Sequence, residues 1–517
     1  MRTSPKHVPS HSTIMSSDWR DICISALICA TLLAAIRHEI KKRKAVLLPP
    51  GPPPIPIIGN VRGIDVNAPW LTYTEWGRRY GDIVYSHFFN QEIIIINSEK
   101  VATELLEKRS QNYSDRPKIP TNALFGLDFN TIFMGYGARW RHQRRIFHQA
   151  FRAEAALSYR PIQQRKIQQL LHNLLHTPHE FLNHLHIYSS SVIMSVTYDY
   201  DTEPHDDPLV EVVGKTLELA LQELRPEMAA VLTAFPFLLR LPAWIPGMSI
   251  KKKAAQSREW VRNWMEDPYQ NVLKRMANGT ARSCMVSDAL RRIEREDLSV
   301  ESQTIKESAA TAVGAASETT TSILQVFVLA MVLFPEVQAK AHTLIDAVVD
   351  ESMLPTFDDR PTLQYIDAIL RETLRWHPIL PLSTPHASVN SDVYDGYYIP
   401  KGATIMPNVW AMSQNEEKYP NPSQFLPERF LDDDGNLNED TVGIAFGFGR
   451  RICVGRHVAD ASLWIAMSCM LARFTFSKVM DSNGDVIDFE PRWSSGIAVH
   501  PLPFPCTITP RLCNVDI

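Results

Sequence analysis

One long helical pattern, from Val300 to Phe334, is the feature that most constrains the fold of this chain. It ends before Pro335, which cannot continue a helix. At 1.5 Å per residue such a helix is roughly 50 Å long, enough to cross a whole domain, so we expect it to be central. Most of the remaining chain also has helical periodicity, while residues 92–98 and 396–408 read as strands. The sequence therefore predicts a mainly α fold with a minor β-sheet (α+β).

The composition of the 517-residue chain excludes several classes of protein. A formal net charge of −4 gives no overall attraction to nucleic acid, so we expect no nucleic-acid partner. The seven cysteines are scattered and include no C-x-x-C pair, which argues against a disulfide scaffold and against a zinc ribbon. We expect most of them to be small buried residues in a reducing compartment.

The amino-terminal segment, residues 1–45, carries a membrane signal. Residues 22–36 contain no charged residue and are followed by the basic run Lys41–Lys44. A full membrane span needs about 20 apolar residues, so a cleaved signal peptide and a buried helix stay open as alternatives. The basic flank and the lack of a clear cleavage motif favour a signal anchor whose carboxyl side faces the cytosol. A start at Met15 in place of Met1 would give a more ordinary anchor.

Residues 46–60 form a proline-rich hinge, with six prolines between Pro49 and Pro56. Proline fixes its own φ and drives the preceding residue toward extended conformations, so the segment should be stiff and non-helical. A ligand for a proline-binding module is one interpretation; a strut between an anchor and a large domain is the better one. No second linker or repeat follows, which predicts one catalytic domain over residues 61–517.

The segment Phe446–Gly455, FGFGRRICVG, places three glycines around a single thiol. Glycine allows positive φ and a close approach of the backbone. Such a loop can turn N–H groups toward the sulfur of Cys453 and stabilise the thiolate, the form that binds metals. Arg450 and Arg451 would then face anionic groups, which fits iron protoporphyrin with its axial ligand and two propionates. A lone cysteine in a glycine-rich loop is usually a buried structural residue, and only the whole pattern favours a metal ligand.

The same segment matches the haem-binding signature F-x-x-G-x-R-x-C-x-G of the cytochrome P-450 monooxygenases. Its fixed positions are filled by Phe446, Gly449, Arg451, Cys453 and Gly455. The resemblance covers about residues 46 to 510 and is greatest to fungal microsomal members. It implies a haem-thiolate domain in which Cys453 is the axial ligand of the haem iron and Arg451, Phe446 and Gly449 contribute to haem binding.

Glu372 and Arg375 lie three residues apart on a predicted helix that stops at Pro378, so they can pair on one face. Alone, such a pair is usually a solvated surface contact. By resemblance, Arg429 completes a buried triad with them. We predict a structural role for the three residues, because removing one partner of a buried pair destabilises a protein by about 3–5 kcal/mol.

Trp140 and Arg144 are four residues apart and share a helical face. By resemblance they contact a haem propionate, with Arg451 and His386 as further partners. A basic amphipathic helix on any surface is the alternative, and both interpretations can hold. The other basic residues of this helix point elsewhere and could meet an acidic reductase domain on a basic proximal face; they are Arg139, Arg141 and Arg145.

Residues 314–320, GAASETT, lie midway along the long helix. Glu318 and Thr319 place an acid and a hydroxyl there, although such a triplet alone is usually incidental polarity. By resemblance the two residues deliver the protons that oxygen cleavage requires. The family pattern is [AG]-G-x-[DE]-T-[TS], and Ala316 stands where glycine is usual. One extra methyl group there would narrow the oxygen groove.

Taken as a whole, the resemblance implies a monooxygenase with haem b that uses O₂ and NADPH electrons from a partner reductase. It implies an endoplasmic reticulum anchor, a cytosolic catalytic domain and a role in fungal secondary metabolism or xenobiotic oxidation. It places the pocket for a lipophilic small molecule among residues 309–316, 119–125, 378–385 and 494–500. One alternative is an electron-independent haem-thiolate isomerase or peroxygenase, which Glu318 and Thr319 disfavour. A non-catalytic haem-binding sensor is another.

Overall fold

The computed structural model describes residues 47–511, apart from residues 57, 205, 224–230, 234, 243–249 and 294–297. The predicted signal anchor and the two candidate start residues lie outside the described residues. The chain divides into two units. Of the described residues, the larger unit holds those within 50–391 and 400–511, and the smaller holds 47–49 and 392–399.

The larger unit is mostly helical, which confirms the predicted fold class. Short 3₁₀ turns at Pro427–Phe430, Gly443–Phe446 and Gly449–Arg451 shape the segment before the last helix. The α-helices, numbered in chain order, are α1 (Pro69–Tyr80), α2 (Glu99–Ala102), α3 (Ser110–Tyr113), α4 (Pro120–Phe125), α5 (Ala138–Phe151), α6 (Ala153–Leu157), α7 (Arg160–His176), α8 (Phe181–Tyr198), α9 (Pro208–Glu223), α10 (Ile250–Ala277), α11 (Met285–Arg291), α12 (Leu298–Leu333), α13 (Pro335–Asp346), α14 (Gln364–Trp376), α15 (Val409–Ser413) and α16 (Arg456–Arg473).

Helix α12 is the predicted central helix, and its bounds lie within two residues of the predicted ones. It packs against α5, α8, α10 and α16, so the main core surrounds it. By length and composition, residues Glu301–Leu333 would also suffice to cross a membrane, alone among the described helices. However, 72% of the apolar window is buried inside the protein, as expected of a core helix.

Within the described part of the chain the strands form three small sheets. In the first, β1 (Ile83–Phe88), β2 (Gln91–Ile96), β6 (Thr404–Pro407) and β3 (His386–Ala387) lie side by side in that order. The second is a hairpin of β4 (Asp392–Tyr394) and β5 (Tyr397–Ile399), and the third pairs β7 (Phe474–Ser477) with β8 (Thr507–Pro510). Both predicted strand regions are confirmed. Residues 396–408 contribute to two different sheets, because β5 pairs with β4 whereas β6 pairs with β2 and β3.

The proline-rich segment is non-helical and runs beside β1. The carbonyl of Pro50 accepts a hydrogen bond from the Tyr85 N–H at 2.9 Å. A Cβ at Gly51 would lie only 2.0 Å from the carbonyl oxygen of Tyr85, so the absence of a side chain permits this approach. Pro50 and Gly51 therefore pack against β1, whereas residues 53–56 are exposed, and the role of the segment as a hinge stays a prediction.

Candidate active site

The loop that carries Cys453 is held by its own backbone. The Cys453 N–H donates to the carbonyl of Phe446 at 2.8 Å, and α16 begins three residues after the cysteine. Gly449 has φ of +54°, and a Cβ there would lie 2.1 Å from the carbonyl oxygen of Leu106. Glycine at 449 therefore lets the loop pass directly against the segment that contains Leu106.

The sulfur of Cys453 lies in the wall of a large cavity. Cys453 has exposed surface that faces the cavity. The cavity itself is lined by protein, so the thiol is still shielded from bulk water. Burial consequently raises the pKa of the Cys453 thiol, and the Gly455 N–H and the charge of Arg144 offset part of this increase. Backbone donors and a cation around one sulfur are the surroundings that favour a thiolate ligand when a metal binds.

The cavity has a volume of about 270 Å³ and lies between α12 and the cysteine loop. Most of its wall is apolar. Among the described residues that line it, the charged side chains are all cationic, namely Arg116, Arg144 and Arg451. Of the predicted pocket regions, residues 309–316 and 378–385 contribute to the wall, whereas the described lining includes nothing from 119–125 or 494–500.

Trp140 and Arg144 on α5 connect this helix to the cysteine loop. The Trp140 ring lies 4.4 Å from the guanidinium carbon of Arg451 and 6.0 Å from that of Arg144. Arg144 Nη2 donates to the carbonyl of Ile452 at 2.5 Å. Burial lowers the pKa of Arg144 to about 10, although Cys453 acts in the opposite direction. The structure thus brings both predicted residues to the cavity wall, beside the thiol.

Arg451 is held by three backbone carbonyls. Its Nε and Nη2 donate at 2.8 Å to Ser114 and Met134, and its Nη1 donates to Thr131 at 3.3 Å. Burial lowers the pKa of Arg451 to about 10. The side chain is therefore fixed in place as a cation that also lines the cavity.

His386 lies on β3 and is almost fully buried. Its Nδ1 is 2.7 Å from the carbonyl oxygen of Tyr113, an acceptor, so Nδ1 carries the proton in this contact. Burial, and then the charge of Arg116, lower the pKa of His386 well below its usual range. The neutral imidazole presents an unprotonated Nε2, and the residue lines the cavity beside the arginines.

Arg116 is a cavity residue that the sequence reasoning missed. Its guanidinium donates to the carbonyls of Ile132, Thr384 and Pro385 at 2.7–2.8 Å, and burial lowers its pKa. No local pattern marks the residue, because its position follows from loops far apart in the sequence. Phe446 lines the cavity, as the resemblance implied. Gly449 is absent from the described lining, and its lack of a side chain permits the close approach to Leu106.

Helix α12 separates the predicted acid from the predicted hydroxyl. Thr319 lines the cavity together with Ala315 and Ala316, whereas Glu318 is not part of the described lining. The Thr319 hydroxyl donates to the carbonyl of Ala315 at 2.7 Å. The carboxylate of Glu318 instead lies 3.9 Å from His186 on α8.

The three residues Glu372, Arg375 and Arg429 lie together below the surface. Glu372 accepts from Nε and Nη2 of Arg375, both at 2.7 Å, and from Nε of Arg429 at 3.2 Å. The side chains of Glu372 and Arg375 have no exposed surface. The Leu426 N–H donates to the same carboxylate at 2.8 Å, so the group connects α14 to the segment before Arg429.

The donor set of the cavity fits iron protoporphyrin. The wall offers one thiol sulfur, flanked by N–H groups, for an axial position. Three guanidinium groups and the imidazole of His386 offer partners for two carboxylates. The largely apolar remainder suits a porphyrin ring and a lipophilic molecule.

The chain matches the family model described as cytochrome P-450 over residues 49–507. It is 38% identical over 490 residues to the cytochrome P-450 monooxygenase ple1 of Rhodocybe pseudopiperita, which covers 94% of this chain and 93% of the relative. It is 36% identical to the cytochrome P-450 monooxygenase COX1 of Coprinopsis cinerea, covering 94% and 96%. It is 34% identical to the tryptamine 4-monooxygenase of Psilocybe cyanescens, covering 95% and 97%.

Proposed function

Because the chain belongs to the cytochrome P-450 family, we propose that this monooxygenase binds haem b through Cys453 and oxidises a neutral lipophilic small molecule. The observation that carries the proposal is the position of the Cys453 sulfur. It lies in the wall of an apolar cavity with backbone N–H groups and Arg144 beside it. When bound, the haem supplies an iron centre that activates O₂, so that one oxygen atom enters the substrate and the other leaves as water.

The cationic side chains of the cavity would hold the haem propionates. The predicted partners are Arg144, Arg451 and His386, and Trp140 packs between the two arginines. We add Arg116 to these partners because it lines the same cavity. If the negative charge of a propionate favours protonation of the His386 imidazole, Nε2 becomes a hydrogen-bond donor to that propionate. Each arginine is already fixed by backbone carbonyls, so the site is organised before the cofactor arrives.

Thr319 and Glu318 would move the protons that the reaction needs. Thr319 lines the cavity, and its hydroxyl donates to the carbonyl of Ala315 within α12. Glu318 holds a carboxylate on the outer side of the same helix. In this arrangement Thr319 delivers protons to the cavity, and Glu318 supplies them from outside.

We further propose that NADPH electrons reach the haem from a membrane reductase that docks beside the cysteine loop. Arg141, Arg145 and Arg450 are exposed and would attract an acidic partner there. Arg139 is a weaker candidate than the sequence suggested, because it pairs with the buried carboxylate of Glu307 at 2.8 Å. Substituting the three exposed arginines with glutamine should slow reduction by the reductase while leaving reduction by dithionite unchanged.

The cavity wall supports a neutral substrate. Among the described lining residues no carboxylate is present, and a buried ammonium group requires such a partner. The name of one relative indicates action on tryptamine, an aromatic amine. For this chain we propose instead a terpenoid, polyketide, steroid-like or neutral aromatic molecule of fungal secondary metabolism or a xenobiotic. Titration with matched neutral and cationic compounds should give a substrate-type spectral shift only with neutral ones.

We also propose that residues 22–36 anchor the enzyme in the endoplasmic reticulum membrane with its catalytic domain in the cytosol. The apolar run and its basic flank support this topology. Alkaline carbonate should leave the full-length chain in the membrane pellet and release a variant without residues 1–45. Release of the full-length chain would contradict the anchor.

The experiment that tests the reaction class is the carbon monoxide difference spectrum of the dithionite-reduced protein. A strongly red-shifted Soret band in the wild type, lost in Cys453→Ala and kept in Cys506→Ala, would support thiolate-ligated haem. A folded, haem-loaded wild type without that band would contradict it. Product formation that requires both NADPH and reductase would then separate a monooxygenase from an electron-independent isomerase or peroxygenase, and from a sensor.

A further inference from the structure

Glu318 on α12 lies near a histidine that belongs to another helix. Its side chain keeps 39% of its surface exposed, and its Oε1 is 3.9 Å from Nδ1 of His186, which comes from α8. Glu318 and His186 therefore lie near each other, and neither belongs to the described lining of the large cavity.

His186 also borders solvent. It lines a second hollow of about 240 Å³, together with Ser190 of α8. Most of the charged side chains that line this hollow are acidic, namely Glu203, Asp206, Asp207 and Glu211, and Lys215 is basic. Lys215 pairs with Glu211 at 2.5 Å, and Asp207 accepts from the Tyr200 hydroxyl at 2.9 Å. The hollow thus has an acidic rim that attracts protons, with His186 between it and Glu318.

The chemistry of these groups suggests a direction of proton flow. A carboxyl group that donates a proton in every turnover must be reprotonated, and carboxylates are mostly ionised near neutral pH. Imidazole is the side chain that exchanges protons between pH 5 and 8. A gap of 3.9 Å is longer than a hydrogen bond, and one water or a change of rotamer closes it.

We propose that His186 reprotonates Glu318 from the acidic hollow. The proton leaves Nδ1 of the His186 imidazolium and binds Oε1 of Glu318. The neutral imidazole then takes a proton from water in the hollow, and Glu318 passes its proton on toward Thr319. His186 is thus a relay residue. The inference rests on the proposed roles of Glu318 and Thr319.

The test needs no substrate. The reductase and NADPH reduce O₂ either to hydrogen peroxide, with two electrons and two protons, or to water, with four of each. The peroxide released per NADPH oxidised is measured from pH 6 to 9 for the wild type, His186→Gln and Glu318→Gln. The matched control is His179→Gln, because His179 also lies near a carboxylate, 3.7 Å from Glu180, but on the surface. All variants are compared at equal amounts of the red-shifted carbon monoxide band.

We expect the peroxide fraction to rise at least about threefold in His186→Gln and Glu318→Gln, with a flatter pH dependence, because a proton donor has been removed. His179→Gln should match the wild type. If Glu318→Gln raises the peroxide fraction and His186→Gln matches the wild type at every pH, the relay through His186 is wrong while the role of Glu318 stands. If neither variant changes it, both are wrong.

Discussion

The hydroxyl of Ser189 lies 2.8 Å from the carbonyl oxygen of Ser317 and 3.2 Å from that of Ala316, so a side chain of α8 donates to the backbone of α12. These carbonyls lie where Ala316 replaces the usual glycine. Hydroxyls on α12 itself also donate to carbonyls four residues back, from Thr319 to Ala315 and from Thr321 to Ser317, both at 2.7 Å. Side-chain hydroxyls therefore bind the backbone carbonyls of α12 on the stretch that carries Ala316.

Ser189→Ala should lower the free energy of unfolding by about 1 kcal/mol, because a buried interhelical hydrogen bond is lost. Hydrogen–deuterium exchange should also increase in residues 312–322. The control is Ser191→Ala on the same helix, whose hydroxyl donates only to Tyr188 within α8. Alanine's helix propensity offsets that loss, so the control should be near neutral. Equal exchange in the two variants would show that Ser189 does not restrain α12.

The cysteine loop was predictable because its functional residues are neighbours in sequence. The torsion angles of Gly449 and the position of Cys453 depend on a few consecutive residues, and the pattern specifies them. The sequence predicts that Glu318 and Thr319 lie on the long helix, but not which of the two faces the cavity. Which of two adjacent residues faces the cavity depends on how α12 is rotated against its neighbours, and that rotation is set by packing.

Contacts between distant elements could not be read from the sequence. Arg116 reaches the cavity because its guanidinium binds carbonyls more than two hundred and fifty residues away, and Ser189 reaches α12 across a helix interface. Neither has a spacing or a composition that sets it apart from an ordinary surface residue. For Glu372 and Arg375 the spacing allowed a pair, but their complete burial follows from the packing of α14.

Glu372→Gln should destabilise the protein by about 3–5 kcal/mol, because it removes the negative charge that two buried guanidinium groups share. The control is Glu75→Gln, which breaks another pair at a spacing of three residues, with Arg78 at 3.5 Å. Both residues of that pair are about 70% exposed, so the expected effect is under about 1 kcal/mol. Thermal unfolding and haem content are measured for both. A similar loss in the two variants would contradict the structural role of the buried group.

Gly449→Ala should sharply reduce haem incorporation. The new Cβ would lie 2.1 Å from the carbonyl of Leu106, so the cysteine loop or its neighbour must shift. Gly435→Ala is the matched control, because Gly435 also has positive φ, +80°, but a Cβ there meets no atom within 4 Å. Both variants incur the penalty of about 1–2 kcal/mol for a left-handed residue. The carbon monoxide band per mole of protein should fall only in Gly449→Ala, and equal bands would show that the close approach is unimportant.

His377 should make the stability of the protein depend on pH in the mildly acidic range. Its ring is 7% exposed, stacks on Trp493 with centroids 3.3 Å apart, and meets Trp410 edge to face. Burial lowers the pKa of His377 to about 3, from an ordinary value of 6.5. Since the folded pKa is lower than the unfolded one, the stabilisation is complete above pH 6.5 and is lost as the pH falls toward 3.

Between pH 7 and pH 5, His377 should therefore reduce the free energy of unfolding by about 2 kcal/mol, because the unfolded chain binds a proton that the folded protein excludes. His377→Phe keeps an aromatic ring between the two tryptophans and removes the titrating group, so its urea midpoint should decrease less over the same range. The exposed His179→Phe should keep the wild-type slope. An unchanged slope in His377→Phe would mean that the folded protein accommodates the imidazolium.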